Sequence, residues 1–146
     1  MKLRTNDPWM PAADYSASLS GFTVNILVED MTRALEFQRD VLGGTIVYDD
    51  PDFAVCRHAR SELILHADHT YDDHPFRRES ESARRGLGVE LRVHQCDPDN
   101  ACDRARALGY EILCPPETKG HGLREAYLRD ADGYVWVPDV PRIKGR

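Results

Sequence analysis

The sequence predicts an α+β fold of two tandem modules, each with one strand, one helix and then three further strands. Polar and apolar residues alternate in TVNILVED (residues 23–30) and in GVELRVH (88–94), and a helical pattern follows each stretch. The two halves match at an offset of 65 to 67 residues, pairing Val28 with Val93, Ala34 with Ala101, Leu42 with Leu108, and Ile46 with Ile112. This self-similarity indicates an internal duplication of a βαβββ unit.

Length and composition limit the classes of function. The 146 residues are enough for one domain with its own core. The net charge of −6 argues against nucleic acids and anionic membranes, because both need a basic face. The four cysteines form no CxxC pair, which is unlike a zinc ribbon or a redox motif. No signal-peptide core and no run of about 20 apolar residues occurs, so we expect a cytoplasmic protein with reduced thiols.

Residues 1–21 are predicted to form an N-terminal arm without regular structure, because they are polar and interrupted by prolines. Trp9, Met10 and Tyr15 are the side chains that would anchor the arm to the rest of the protein. A frayed tail is the alternative.

Module one is predicted over residues 22–67. Its first strand alternates, and Asp30 is expected to cap the helix MTRALEFQRDVLGG, which ends at its two glycines. TIVYDD, FAVCRHA and SELILHAD are the three strands that follow. The charged, turn-rich residues 68–86 are predicted to be a connector or a loop over a site.

Module two is predicted over residues 87–139, followed by a tail at 140–146. After its first strand comes the capped helix in DPDNACDRARALGYEI, then strands in YEILCPP, LREAYLRD and GYVWVPD. The apolar positions of the two first strands are expected to pack beneath the helices: Val24, Ile26, Val28, Val89, Leu91 and Val93.

Two stretches resemble the vicinal oxygen chelate superfamily, which includes glyoxalase I, extradiol dioxygenases, fosfomycin-resistance enzymes and bleomycin-resistance proteins. They are VNILVEDMTRALEFQRDVLGG (24–44) and GLREAYLRDADGYVWVPD (122–139). The chain departs from the usual pattern at Ala131, where proline is common, and at Gln38, where tyrosine is common. The resemblance implies a curved, partly closed mixed sheet around a cavity, with helices outside, in a homodimer.

The resemblance also places metal ligands, where a metal is used, on the first and fourth strands of each module. Those positions hold Thr23, Ile64, Gly88 and Val137, none of which is a competent ligand. We therefore expect no metal and no other cofactor. A register shifted by two residues would instead present a set that could bind a divalent metal: Asn25, His66, Glu90 and Asp139.

The stretch HADHTYDDH (66–74) is rich in possible metal ligands. No two of its histidines are four apart on a predicted helix, so it lacks the helical pair of HExxH. A solvated polar loop with one cavity-facing histidine, His66, is the favoured interpretation, and a local metal clamp is the alternative.

The polar positions of the strands are the candidate site residues. Glu90 and Arg92 are two apart on one strand, so either they form an internal ion pair or both lie at a solvated mouth of the cavity. His121 is expected to be an exposed loop residue. The candidate ligand-binding residues are Asn25, His66, Glu90, Arg92 and Tyr127, and the candidate catalytic residues are Glu90, His66 and Tyr127.

Two functions remain open from the sequence. The first is a metal-free protein, similar to the bleomycin-resistance branch, that sequesters a small aromatic or cationic ligand at a dimer interface. The second is a glyoxalase-like lyase or isomerase, or a dioxygenase, that uses a divalent metal or an acid–base pair of Glu90 with His66 or Tyr127.

Overall fold

The computed structural model describes residues 1–76 and 85–142 of the chain. Within this range, residues 1–35 and 44–76 form one compact unit, and residues 36–43 and 85–142 form the other. Part of the predicted connector, 77–84, and the last residues of the tail, 143–146, lie outside the described residues.

Each unit contains a four-stranded mixed sheet with the same topology. The first unit contains α1 (Ala12–Ser18), β1 (Val24–Val28), the start of α2 (Met31–Glu36), β2 (Thr45–Asp49), β3 (Phe53–His58) and β4 (Ser61–Ala67). The second contains β5 (Glu90–His94), α3 (Pro98–Ala107), β6 (Glu111–Thr118), β7 (Leu123–Arg129) and β8 (Val135–Pro141). The strand orders are β1-β4-β3-β2 and β5-β8-β7-β6, with only the first pair of each sheet parallel. The predicted α+β class and the two βαβββ modules are therefore confirmed.

The apolar faces of the strands and helices form the core of each unit. In the first unit Ile26, Val28 and Leu65 are buried, and in the second Ala126, Leu128 and Trp136 are buried. The prediction for Val89 was wrong, because this side chain is 54% exposed. The Val89 amide donates to the Gly86 carbonyl in a turn, so the strand begins only at the next residue.

The predicted regular helix after β1 ends in a π-helical turn, Phe37–Val41, in which the Leu42 amide donates to the Phe37 carbonyl at 3.1 Å. A π turn widens the helix and brings more side chains to one side. This segment belongs to the second unit, where the Phe37 ring packs edge-on against Tyr110 with centroids 4.9 Å apart. Gln38, where the resemblance suggested tyrosine, is almost fully buried.

The prediction that the N-terminal arm has no regular structure was wrong, because helix α1 forms within it. The segment AADYSAS contains three alanines, the residue with the highest helix propensity, and Pro11 precedes it with φ −59°, which suits a helix start. The sequence did not predict this helix, because Tyr15 is its one large apolar side chain and a single such residue does not produce an apolar stripe. In the structure Tyr15 is buried.

The D-A-D-G turn between β7 and β8 is organised by Asp130. One carboxylate oxygen accepts hydrogen bonds from the amides of Asp132, Gly133 and Tyr134, each at 3.0 Å. The other accepts from Trp136 Nε1 at 2.9 Å. None of these bonds involves the side chain at Ala131, so the turn forms without the usual proline.

Asp97 caps α3, and its replacement offers a first test of the fold. Its carboxylate accepts hydrogen bonds from the amides of Asp99 (2.9 Å) and Asn100 (3.2 Å). We expect Asp97→Ala to lower the free energy of unfolding by about 1 kcal/mol, measured by urea denaturation. Asp103→Ala on the exposed face of the same helix is the control, and equal effects of both changes would contradict the capping role.

All four cysteines are free thiols, and Cys56, Cys96 and Cys102 are buried. Burial raises the pKa of Cys56 to about 12, so this thiol is inert at neutral pH. In the part of the chain that the structure describes, no helix has the length and apolar character needed to cross a membrane.

Candidate functional site

A cavity of about 340 Å³ lies in the first unit, between the N-terminal arm and the sheet. The arm lines it with residues between Lys2 and Leu19, including Trp9 and Tyr15. The rest of the wall comes from the β2–β3 turn, from β3 and β4, and from the residues just after β4: Asp50, Asp52, Phe53, Ile64, His66, Thr70 and Tyr71. This volume falls within the range of small-molecule sites.

Five of the side chains that line the cavity carry aromatic rings: Trp9, Tyr15, Phe53, His66 and Tyr71. Trp9 stacks on Tyr48 with ring centroids 4.6 Å apart, and it also faces Phe53 and Tyr15 at 6.5 and 5.2 Å. Phe53 in turn meets the edge of His66 at 4.9 Å. Rings in such a group offer flat apolar surfaces with fixed orientations, which suits a planar guest.

The arm is held in place by a buried carboxylate. Asp52, only 4% exposed, accepts hydrogen bonds from the backbone amides of Leu3 (2.7 Å) and Arg4 (3.1 Å). His69 Nε2 lies 2.6 Å from the same carboxylate. Burial opposes ionisation of Asp52, but these hydrogen bonds outweigh it and hold its pKa below the usual value.

A hydrogen bond also holds helix α1 against the sheet. The Tyr15 hydroxyl donates to Glu62 Oε2 at 3.2 Å. Burial and the adjacent carboxylate raise the pKa of Tyr15 to about 12, so the phenol stays protonated and continues to donate at physiological pH. The arm is therefore a structural wall of the cavity.

His66, Asn25 and Tyr71 form a hydrogen-bonded chain beside the cavity. Asn25 Nδ2 donates to the Tyr71 hydroxyl at 3.1 Å, and Asn25 Oδ1 lies 2.7 Å from His66 Nδ1. Burial lowers the pKa of His66, so its ring is neutral at physiological pH. The parallel pairing of β1 with β4 places Asn25 and His66 on neighbouring strands.

The second unit contains a different polar cluster, centred on Arg92. Its guanidinium contacts Glu90 at 3.1 Å, Asp139 at 3.1 Å, and Glu125 at a short distance. Glu125 and Asp139 are 2% and 1% exposed. Burial opposes ionisation of Glu125, but the hydrogen bond and charge of Arg92 outweigh it and hold its pKa below the usual value. The ion pair predicted between Glu90 and Arg92 is present.

Three further side chains border the Arg92 cluster. His94 Nδ1 lies 2.9 Å from Asp139, and His121 Nε2 lies 3.4 Å from Glu125. The Tyr127 hydroxyl donates to Glu125 at 3.4 Å, and burial raises its pKa. His121 is exposed, as the sequence predicted, and takes part in the cluster only from its rim.

The residues at the inferred metal positions do not fit a metal. Thr23, Ile64, Gly88 and Val137 provide no imidazole or carboxylate donor. In the set shifted by two, Asn25 and His66 are bonded to each other, and the carboxylates of Glu90 and Asp139 hold a guanidinium cation. Among residues 1–76 and 85–142, no group of three or more His, Cys, Asp or Glu side chains is arranged for metal binding.

The predicted site residues thus fall into two groups. The structure brings Asn25 and His66 together in the first unit, and Glu90, Arg92 and Tyr127 together in the second. Sequence reasoning did not include Asp52, Phe53 and Tyr71 in a site. The tyrosine and histidines of HADHTYDDH were a visible signal for this region, but their partners come from distant strands and from the arm.

Comparison with known proteins identifies the fold family. Residues 22–137 match the sequence model of the Glyoxalase/Bleomycin resistance protein/Dioxygenase superfamily. No curated protein sequence matches the chain.

Several solved structures have a similar fold. A glyoxalase/bleomycin resistance protein/dioxygenase family enzyme from Burkholderia phytofirmans PsJN is 20% identical, covers 82% of this chain and 96% of its own, and superposes with a TM-score of 0.69. TioX from Micromonospora sp. ML1 is 20% identical, with coverages of 87% and 100% and a TM-score of 0.60. The fosfomycin resistance protein FosX from Listeria monocytogenes is 15% identical, with coverages of 86% and 97% and a TM-score of 0.62. At these identities the likeness concerns the fold.

Proposed function

Because the chain belongs to the Glyoxalase/Bleomycin resistance protein/Dioxygenase superfamily, a fold that serves both binding and catalysis, we propose that it is a metal-independent binding protein for a small aromatic molecule. The observation that carries this proposal is the ring-lined cavity between the N-terminal arm and the first sheet. In character it resembles the bleomycin-resistance branch of the family.

The walls of the cavity favour an aromatic guest over a cationic one. Trp9, Phe53 and Tyr15 present faces and edges against which a planar ring can pack. The charged side chains on the wall are balanced: Lys2, Arg4, Asp50 and Asp52. The Arg4 guanidinium is 3.8 Å from Asp50, and the Asp52 carboxylate is already bonded to the arm. No net negative charge is left to attract a cation.

The acid–base alternative receives less support from the Arg92 cluster. Glu90 is ion-paired with the Arg92 guanidinium at 3.1 Å, so a substrate proton would have to compete with this contact for the carboxylate. The raised pKa of Tyr127 makes its phenol a poor proton donor. We therefore assign the cluster a structural role within this proposal.

Trp9→Ala tests the proposed site with 2-naphthol as the probe, measured by isothermal titration calorimetry. Loss of the stacking surface is expected to weaken binding about tenfold. Phe22→Ala is the matched control, because Phe22, an aromatic residue just after the arm, is 88% exposed and does not line the cavity. Prior treatment of the protein with a chelator should leave the affinity unchanged. Absence of binding by the wild type, or its dependence on added metal, would overturn the proposal.

A cytoplasmic homodimer is part of the same proposal, on the family resemblance alone. Sedimentation velocity is expected to show a species of twice the mass of one chain. A single species of one chain mass at high micromolar concentration would remove the dimer from the proposal and leave the cavity, whose wall comes from one chain.

A further inference from the structure

One ring nitrogen of His66, Nδ1, is hydrogen-bonded to Asn25, and the other, Nε2, is not hydrogen-bonded within the described residues. Asn25 uses its Nδ2 to donate to the Tyr71 hydroxyl, so its Oδ1 accepts from His66 Nδ1 at 2.7 Å. The proton of the neutral ring is then on Nδ1, and Nε2 carries a lone pair. Among residues 1–76 and 85–142, no group forms a hydrogen bond with this Nε2. His66 lines the cavity, whereas Asn25 does not.

The surroundings of His66 are aromatic and keep its ring in position. Phe53 and Tyr71 meet the imidazole edge-on, with centroids 4.9 and 5.1 Å away. Burial is the main cause that lowers the pKa of His66, and His74 adds to it, whereas Asp50 opposes it. The imidazole is thus a fixed neutral acceptor in an otherwise largely apolar wall.

Building on the proposed function, we infer that the cavity selects neutral planar aromatics bearing a hydrogen-bond donor, a phenolic hydroxyl or a ring N–H, which donates to His66 Nε2. An aromatic without this donor would cover His66 Nε2 and shield it from water without giving it a partner, and this raises the cost of binding such a guest. The ring of the guest would pack against Trp9 and Phe53, which both line the cavity.

Three probes that share the naphthalene ring system test this inference by isothermal titration calorimetry: 2-naphthol, 2-methoxynaphthalene and naphthalene. The wild type is expected to bind 2-naphthol about tenfold more tightly than the other two, because only 2-naphthol can donate. His66→Phe keeps an aromatic ring and removes the acceptor, so it should abolish this preference while the affinity for naphthalene changes less than about threefold. His74→Phe, a histidine of the same aromatic group that does not line the cavity, should retain the preference.

Asn25→Leu provides a second variant that leaves His66 in place. Without the amide oxygen the tautomer is no longer selected, and the preference for 2-naphthol is expected to fall about threefold or more. Infrared spectroscopy of bound 2-naphthol gives a direct readout of the hydrogen bond. The C–O stretching frequency should shift when the hydroxyl donates to His66 Nε2, and this shift should be absent in His66→Phe.

The outcomes separate the two proposals. Equal affinity for the three probes, a preference that survives in His66→Phe, or tighter binding of 2-methoxynaphthalene would overturn the inference about His66 and leave the aromatic cavity intact. Failure of all three probes to bind would overturn the proposed function, and the inference with it.

Discussion

Replacement of Arg92 by methionine is expected to lower the free energy of unfolding by about 3–5 kcal/mol, the cost of leaving buried charges without their partner. Glu125 and Asp139 are almost fully buried, and both contact the Arg92 guanidinium. Methionine keeps much of the length of the side chain but supplies no charge and no donor. Urea denaturation followed by circular dichroism measures the change.

Two companion variants make this prediction specific. Arg106→Met removes an exposed arginine whose partner, Asp103, is also exposed, so it should cost less than about 0.5 kcal/mol. Combining Arg92→Met with Glu125→Gln removes one buried charge together with its partner, and should recover at least about 1 kcal/mol. If Arg92→Met costs no more than Arg106→Met, the cluster is not a buried ionic network.

The effect of Arg92→Met should depend on pH in a defined direction. In the wild type, the pKa of Glu125 is lower folded than unfolded. Its contribution to stability is therefore present above its unfolded pKa, about 4.3, and is lost as the pH falls through the folded value. In the variant, Arg92 no longer lowers the folded pKa, so burial, opposed only by His121, is expected to raise the folded pKa of Glu125. The deficit of the variant should thus be greatest near pH 7 and shrink as the pH falls towards 4.

The modules were predictable because each strand carries its own periodic signal. Alternation at Val24, Ile26 and Val28 requires only neighbours in sequence, and so does the cap at Asp97. The exceptions have local causes that periodicity does not encode. The turn at Gly86 displaces Val89 from the ladder, and the π turn after Glu36 changes the spacing of buried side chains.

The polar clusters were predictable only in part, because the strand order and register determine which side chains come into contact. Glu90 and Arg92 are two residues apart, so their pairing could be inferred from one strand. Glu125 and Asp139 join them because β8 lies between β5 and β7, with Glu125 opposite Asp139 in the ladder. No local pattern contains this information, because it follows from the topology of the complete sheet.

The cavity was harder still to predict, because its two walls are far apart in sequence. Trp9 stacks against Tyr48 and faces Phe53, which lie on the first sheet. The sequence marked Trp9 as a possible anchor of the arm but did not identify its partners. It also offered no reason to connect Asp52, a turn residue, with the amides of Leu3 and Arg4.

Asp52→Ala is expected to release the N-terminal arm and open the cavity. The amides of Leu3 and Arg4 lose their acceptor, and so does His69. Hydrogen exchange at these amides should accelerate at least about tenfold, because their protection depends on this one carboxylate. Binding of 2-naphthol should weaken about tenfold as well, since Trp9 is no longer held over the sheet. Asp72→Ala is the control, because its contact with the Met1 ammonium is exposed on both sides and should matter little.

The pH dependence of arm release follows from the same carboxylate. The pKa of Asp52 is lower with the arm docked than its usual value of about 3.9. Docking is therefore at full strength above pH 5 and weakens as the pH falls through the lowered value, where protonation removes an acceptor from the two arm amides. In the wild type, the rate of hydrogen exchange at the arm amides, divided by the rate at the β4 amides, should rise at acid pH. In Asp52→Ala this ratio should stay constant. A constant ratio in the wild type would mean that the rings around Trp9, and not Asp52, hold the arm.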